Sequence, residues 1–150
     1  MVIGLSGVAG SGKDTFFEML AERMACKRVS LGDALKEEVY DWTLKHYQIN
    51  SLKCSRQDKE KIRPFLVFHG GRKRAQTSGR YWIDLTDKRI ARNALDYTTV
   101  ITDIRYDDYE NDELDWLRNE LGGTLVHISQ WQWFTDDKEG AKIKKYVPTL

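Results

Sequence analysis

The chain has little cysteine, almost no excess charge and no long hydrophobic run. Only Cys26 and Cys54 occur, so we expect free thiols in a reducing cytosol rather than a disulfide-stabilised secreted fold. No secretory segment precedes the first apolar run, and no apolar stretch approaches the ~20 residues of a membrane span, so the expected location is cytoplasmic, with no membrane partner. The 24 Lys and Arg residues nearly balance 23 Asp and Glu residues, a net charge of +1 that favours small ligands over polymeric nucleic acid.

What the chain does have is a glycine-rich segment, Gly7 to Thr15, directly after the apolar run Val2 to Leu5. The order predicts a strand, a phosphate-binding loop and a helix, with Lys13 reaching the β- and γ-phosphates of a nucleoside triphosphate. One departure is that Asp14 replaces the Ser or Thr that usually meets magnesium, and Thr15 follows it. The predicted ATP contacts are Gly10, Ser11, Gly12, Lys13, Asp14 and Thr15.

Apolar periodicity predicts alternating strands and helices, and therefore an α/β fold with a mostly parallel sheet and helices on both faces. The length of 150 residues fits a single domain, 1–150. After the first strand we expect helices over 15–25, from 32 to about 47, over 59–69, over 82–95 and over 109–121, and strands over 28–31, 98–102, 124–129 and 130–134. Gly70-Gly71 is predicted to end the third helix, and 72–80 to form a flexible basic loop.

Four charged residues are candidates for chemistry, because ligands of an open parallel sheet bind beyond the carboxyl ends of its strands. Asp103 follows a β-branched run and either holds magnesium through water or caps the following turn. Arg105 either binds phosphate or forms a surface ion pair. Asp33 either accepts from a substrate hydroxyl or caps a helix. Asp14 must face magnesium, its water shell, or away from the phosphates, because a bare carboxylate beside a triphosphate is repelled.

These residues give the chain a resemblance to the deoxynucleoside monophosphate kinases of bacteriophages, in the P-loop nucleoside monophosphate kinase group. The similar segments are Ser6 to Thr15, Leu31 to Glu37, Arg63 to Trp82, and Val100 to Ile128 with its Asp103-Ile104-Arg105 triplet. The resemblance implies a three-layer α/β/α P-loop kinase fold. It also implies that Lys13 neutralises donor phosphates, that Arg63 and Arg105 bind phosphate oxygens, and that Asp33 contacts the acceptor nucleotide.

The chain departs from the family pattern in the middle and at its end. Val67 stands where the family tends to have Gln, and Gly71 where it tends to have Thr. The chain ends soon after Ile128, so we expect the lid to be reduced or absent, or replaced by a basic loop over 72–80 that includes Arg74. The alternative for that loop is a solvated basic segment. Trp82 is a candidate for stacking an acceptor base; Trp131, Trp133 and Phe134 predict an edge strand covered by a helix or in a homodimer.

The resulting hypothesis is transfer of the γ-phosphoryl group of ATP, with Mg²⁺, to a deoxynucleoside 5′-monophosphate. Lys13, Arg63, Asp103 and Arg105 are the predicted catalytic residues, and Asp14 and Asp103 the predicted metal ligands. The predicted substrate contacts are Asp33, Arg63, Arg74, Trp82 and Arg105. Two alternatives remain open: a P-loop kinase of another small metabolite, and a non-catalytic ATP-binding regulatory module.

Overall fold

The computed structural model describes residues 1–90, 96–135 and 142–146. They contain both strands and helices, as the apolar periodicity predicts. The strands are β1 (Val2–Ser6), β2 (Cys26–Val29), β3 (Thr98–Ile101), β4 (Thr124–His127), β5 (Trp131–Thr135) and β6 (Lys142–Tyr146). The helices are α1 (Lys13–Ala21), α2 (Leu31–Glu38), α3 (Tyr40–Tyr47), α4 (Arg56–Gln76), α5 (Arg80–Asp87) and α6 (Glu113–Asp115), which continues as a π-helical segment, Trp116–Glu120.

Four strands form one parallel sheet in the order β2-β3-β1-β4. Ile3 of β1 pairs with Val100 of β3 on one side, and Gly4 pairs with Leu125 of β4 on the other. Because all four strands are parallel, the segments that follow them meet at one edge of the sheet. This confirms the predicted α/β class and parallel sheet, and the helices are compatible with layers on both faces. Strands β5 and β6 form a separate antiparallel pair.

The core lies around the two central strands. All four residues of β3 are buried, and Leu5 of β1 is fully buried. A Cβ on Gly4 would collide with the Leu117 side chain, so glycine lets the π-helical segment pack directly on β1. The buried cluster joins Val29, Leu31, Ala34, Trp82, Ile83, Ile90, Ile101, Ile104, Trp116 and Leu117. Within the described part of the chain, no helix combines the length and apolarity that crossing a membrane requires.

The prediction that Gly70-Gly71 ends a helix is wrong, because α4 continues through both glycines to Gln76. A Cβ on Gly70 would lie 3.3 Å from the Leu35 side chain, so this glycine permits close packing of α4 against α2. The indole N–H of Trp82 also donates to the Gly70 carbonyl at 3.1 Å. These contacts outweigh the low helix propensity of glycine, about 1 kcal/mol per residue relative to alanine.

The predicted flexible loop over 72–80 is likewise corrected. Its first half is the end of α4, a short turn over 77–79 follows, and Arg80 opens α5. Gly79 has φ 90° and its N–H donates to the Arg74 carbonyl at 2.9 Å, which closes the turn. The connection between α4 and α5 is therefore confined to residues 77–79.

Other boundaries also shift. The helix expected from 32 to about 47 is two helices that meet at Val39, and Leu31 belongs to α2 rather than to the preceding strand. The helix expected over 109–121 begins only at Glu113. For the helix expected over 82–95, residues 91–95 lie outside the described residues. The strand expected over 130–134 is present as β5, whereas the side chains on which the homodimer prediction depends lie outside the described part.

Candidate functional site

The loop between β1 and α1, residues 7–12, is built on three glycines in left-handed conformations. Gly7 has φ 137°, Gly10 has φ 81° and Gly12 has φ 102°. A Cβ on Gly7 would collide with the Ile128 carbonyl oxygen and approach the Ser11 hydroxyl to 2.7 Å, whereas Gly10 and Gly12 face open space. The loop therefore needs glycine at Gly7 both for its dihedral angle and for its proximity to β4.

The loop and the start of α1 leave hydrogen-bonding groups available. Gly12 is the N-cap of α1 and supplies no side-chain acceptor for the N–H groups of the first turn. The Ser11 side-chain oxygen is buried, with the residue 5 % exposed, and it has no hydrogen-bond partner among the described residues. A buried hydroxyl and a helix N-terminus form a site where an anion is favoured.

Lys13 occupies the first position of α1 and folds back over the loop. Its Nζ donates to the Gly7 carbonyl at 2.5 Å and to the Val8 carbonyl at 2.6 Å. Burial lowers the pKa of its ammonium group and the positive charge of Arg105 lowers it further, while Asp14 and Asp103 act in the opposite direction. Arg105, Asp14 and Asp103 are therefore each within electrostatic reach of Lys13.

Asp103 caps the N-terminus of α2. It follows β3 and Thr102 along the chain. Its carboxylate accepts hydrogen bonds from the Ser30 hydroxyl at 2.8 Å and from the backbone N–H groups of Leu31 and Gly32 at 2.9 and 2.7 Å. Asp103 therefore caps the N-terminus of α2, although it follows β3 and lies far from α2 along the chain. Asp33 has no capping role, because it lies inside α2 and pairs with Lys36 at 2.8 Å.

We expect Asp103→Ala to lower the free energy of unfolding by about 1–2 kcal/mol, because three donors at the start of α2 lose their acceptor. Urea unfolding measures this change. Asp33→Ala is the matched control, since it removes a carboxylate two residues into the same helix and only a partly exposed ion pair, worth at most about 1 kcal/mol. Equal losses from the two variants would contradict the capping role.

Asp14 faces away from the loop. Its side chain is 82 % exposed and its carboxylate lies 3.6 Å from the guanidinium of Arg28 on β2. Arg28 in turn donates from Nε to the Thr102 hydroxyl at 3.3 Å, next to Asp103. The nearby positive charge of Arg28 reduces the repulsion that an incoming anion would meet at Asp14.

Arg105 and Arg63 differ in how the fold places them. Arg105 is exposed, and its guanidinium makes no hydrogen bond or ion pair with another described residue. Arg63 lies on the exposed side of α4, where it pairs with Glu60 at 2.8 Å. Among the contacts of the described chain, none joins Arg63 to the 7–12 loop, to Asp103 or to Arg105.

Arg74 and Trp82, both predicted as substrate contacts, are buried and hydrogen-bonded within the fold. Arg74 is 7 % exposed and donates from Nη1 and Nη2 to the two carboxylate oxygens of Asp112 at 2.9 and 2.8 Å. Its guanidinium also lies 3.7 Å from the centre of the Tyr106 ring. Trp82 is 5 % exposed, in the core cluster, and its indole N–H is bound to Gly70. Both side chains therefore make their hydrogen bonds to other residues of the protein.

Sequence reasoning missed the two buried acids at the start of α6. Asp112 is 0 % exposed and Glu113 is 4 % exposed. In the sequence, the only indication of these buried acids is that the acidic segment 107–115 and the basic segment 72–80 are similar in size. Which arginine meets which carboxylate depends on how α4 and α6 pack.

Burial raises the pKa of the Glu113 carboxyl from 4.5 to about 7, although the N–H groups of Arg105 and Tyr106 and the charge of Arg74 oppose the shift. The folded chain therefore retains a proton that the unfolded chain releases near pH 4.5. Stability from this group is fully present below pH 4.5, and it is lost as the pH rises through about 7.

We expect the free energy of unfolding to fall by up to about 3 kcal/mol from this group between pH 4.5 and 7.5. Urea unfolding of the wild type and of Glu113→Gln, which cannot ionise, isolates the contribution as the difference between the two proteins. A constant difference across this pH range would contradict it.

The two predicted magnesium ligands, Asp103 and Asp14, are carboxylates that both act electrostatically on Lys13. No group of three or more His, Cys, Asp or Glu side chains in the described ranges is arranged to hold a metal ion. Mg²⁺ is typically held by one or two protein carboxylates together with phosphate oxygens and water, so this sparse donor set fits a phosphate-bound ion rather than a dedicated protein cage.

Comparison with known proteins does not identify the chain. No protein-family model matches it, and no curated protein matches it significantly.

Proposed function

We propose that this protein is an ATP-dependent phosphotransferase with a P-loop kinase fold, acting on a deoxynucleoside 5′-monophosphate to give the diphosphate. The observation that carries the proposal is the 7–12 loop: three left-handed glycines, the start of α1 and the buried, unpartnered Ser11 hydroxyl. A parallel sheet with this loop after its central strand β1 supports the P-loop assignment.

The donor site uses the loop and Lys13. In this proposal the loop N–H groups and the Ser11 hydroxyl bind the β- and γ-phosphates, and the Lys13 ammonium exchanges its two carbonyl partners for phosphate oxygens. Asp103 and Asp14 are the residues that would hold magnesium. The ion, when bound, neutralises charge on the donor phosphates.

The acceptor site uses Arg105, whose exposed guanidinium has no hydrogen-bond or ion-pair partner among the residues that the structure describes and whose charge lowers the pKa of Lys13. A phosphate oxygen of the acceptor attacks the γ-phosphorus while the bond to the β–γ bridging oxygen breaks, so ADP leaves and no covalent enzyme intermediate forms. Arg105 stabilises the charge shared by donor and acceptor. Arg63 and Asp33 are proposed acceptor contacts on the strength of the family resemblance alone.

The choice of a deoxynucleotide acceptor is tested by a coupled ADP-release assay. The panel contains the deoxynucleoside monophosphates, the ribonucleoside monophosphates and unrelated phosphorylated or hydroxylated metabolites, each with ATP and Mg²⁺. We expect ADP release that depends on a deoxynucleoside monophosphate. Release with another metabolite would replace the acceptor but keep the kinase.

Calorimetry with ATP and Mg²⁺, together with the ADP-release assay, distinguishes the kinase from a regulatory module. ATP binding without ADP release on any acceptor would favour a regulatory module, an outcome made more credible by the placement of Arg74 and Trp82 in the core. Absence of any ATP binding would contradict both the kinase and the module.

A further inference from the structure

The segment after Asp103 is held by a buried acid from α6. The Glu113 Oε2 atom accepts the backbone N–H of Arg105 at 2.7 Å and that of Tyr106 at 3.1 Å. Two successive N–H groups thus share one acceptor on a side chain that is 4 % exposed. Such an anchor restricts the backbone from which the Arg105 side chain projects.

Glu113 is itself held by its neighbours. Asp112 binds Arg74 through two short hydrogen bonds, and it also accepts the N–H groups of Asp108 at 3.0 Å and Tyr109 at 3.4 Å. Arg74 Nη1 lies 3.5 Å from Glu113 Oε1. The end of α4, the 105–109 segment and the start of α6 are therefore joined through one buried network.

The guanidinium end of the Arg105 side chain has no comparable anchor among the described residues. This guanidinium is exposed and has no hydrogen-bond or ion-pair partner within the described chain. The N–H of the preceding residue, Ile104, donates to the Leu5 carbonyl at 3.0 Å, two residues before the loop begins. A long side chain without a partner is placed mainly by its backbone. The location of this charge relative to the loop thus depends on the anchor at Glu113.

We propose that Glu113 is a positioning residue for Arg105: by holding the N–H groups of Arg105 and Tyr106, it directs the Arg105 guanidinium toward phosphates bound at the 7–12 loop. Arg74 and Asp112 keep Glu113 in place. The phosphates in this statement rest on the proposed function, whereas the anchor belongs to the fold.

Two variants of equal size separate the acceptor from the volume of the side chain. Glu113→Leu fills the same space without an acceptor, and Glu113→Gln keeps a carbonyl oxygen with the same reach. In Glu113→Leu we expect the amides of Arg105 and Tyr106 to exchange with solvent at least about tenfold faster, and kcat/KM to fall roughly ten- to hundredfold. Glu113→Gln should retain both properties within about threefold of the wild type.

A double-mutant cycle tests whether the effect passes through Arg105. If it does, Glu113→Leu causes no further loss of kcat/KM in an Arg105→Ala background. Independent, multiplying losses would overturn the proposal. Glu120→Leu is the matched control, because it removes an acid from the following π-helical segment, breaks an ion pair with Arg80, and should leave kcat/KM unchanged.

The amide-exchange and kinetic measurements distinguish failure of the positioning role from failure of the proposed function. If the wild type releases no ADP with any acceptor, the proposed function falls while the exchange rates still test the anchor. If the wild type is active and Glu113→Leu matches it in both measurements, the positioning role is overturned and the proposed function stands. Should Glu113→Leu not fold, Glu113→Asp, which shortens the reach by one methylene, takes its place with the same expected changes.

Discussion

Lys13→Ala is expected to abolish acceptor-dependent ADP release, with kcat/KM lowered at least about a thousandfold. Loss of one preorganised donor to a developing charge costs about 10²–10³-fold in other enzymes, and this substitution also removes a full positive charge. The ammonium group lies over the loop, donating to the carbonyls of Gly7 and Val8, where phosphates are proposed to bind. The measurement is the coupled ADP-release assay at saturating acceptor.

The fold should survive this substitution. The carbonyls of Gly7 and Val8 lose one donor, which changes the free energy of unfolding by about 1 kcal/mol. Lys61→Ala is the matched control for lysine removal, because Lys61 pairs with Asp58 on the exposed face of α4. Near-normal turnover by Lys13→Ala, in a folded protein, would contradict the assignment of the loop.

Arg74→Ala is expected to lower the free energy of unfolding by about 3–5 kcal/mol, because the buried carboxylates of Asp112 and Glu113 then lose their cation. Single domains are stable by only about 5–15 kcal/mol, so this loss is a large fraction of the total stability. Urea unfolding followed by circular dichroism measures the loss. The same experiment tests whether Arg74 belongs to the core or to a mobile substrate loop.

Two comparisons sharpen this prediction. Arg74→Lys keeps the charge but cannot make the paired hydrogen bonds to Asp112, so it should lie between the wild type and Arg74→Ala. Lys61→Ala removes an exposed cation from the same helix and should change stability by no more than about 1 kcal/mol. A loss of that small size from Arg74→Ala would show that the buried network is not needed for folding.

Local patterns were enough to predict the start of the chain. The apolar residues of β1, the three glycines and Lys13 interact within about ten residues of one another, so the strand, loop and helix follow from dihedral preferences and short-range hydrogen bonds. The β-branched run of β3 was predicted for the same reason. Alternation of strands and helices then requires parallel connections, and the four-stranded parallel sheet agrees with that expectation.

Predictions failed where distant residues compete with local preference. Gly70 has the propensity of a helix terminator, but Leu35 and Trp82 pack against it and the helix continues. For Asp103, residue type and position left a metal-binding role and a capping role open, and the structure adds three donors from the start of α2 to its carboxylate. In each case the deciding contact joins residues that are far apart along the chain.

Arg63, Arg74 and Arg105 illustrate the division most directly. Arg74 and Arg105 were candidates for binding phosphate from residue type and position, and Arg63 from the family resemblance, because a guanidinium has the same chemistry wherever it stands. Packing separates them: Arg74 is enclosed by Asp112 and Glu113, Arg63 pairs within its own helix, and Arg105 is exposed in the segment that follows β3. The loop and the class of fold thus follow from interactions between residues that are close in the sequence. The burial and the partners of each charged residue depend instead on contacts between remote segments, so only the tertiary structure determines them.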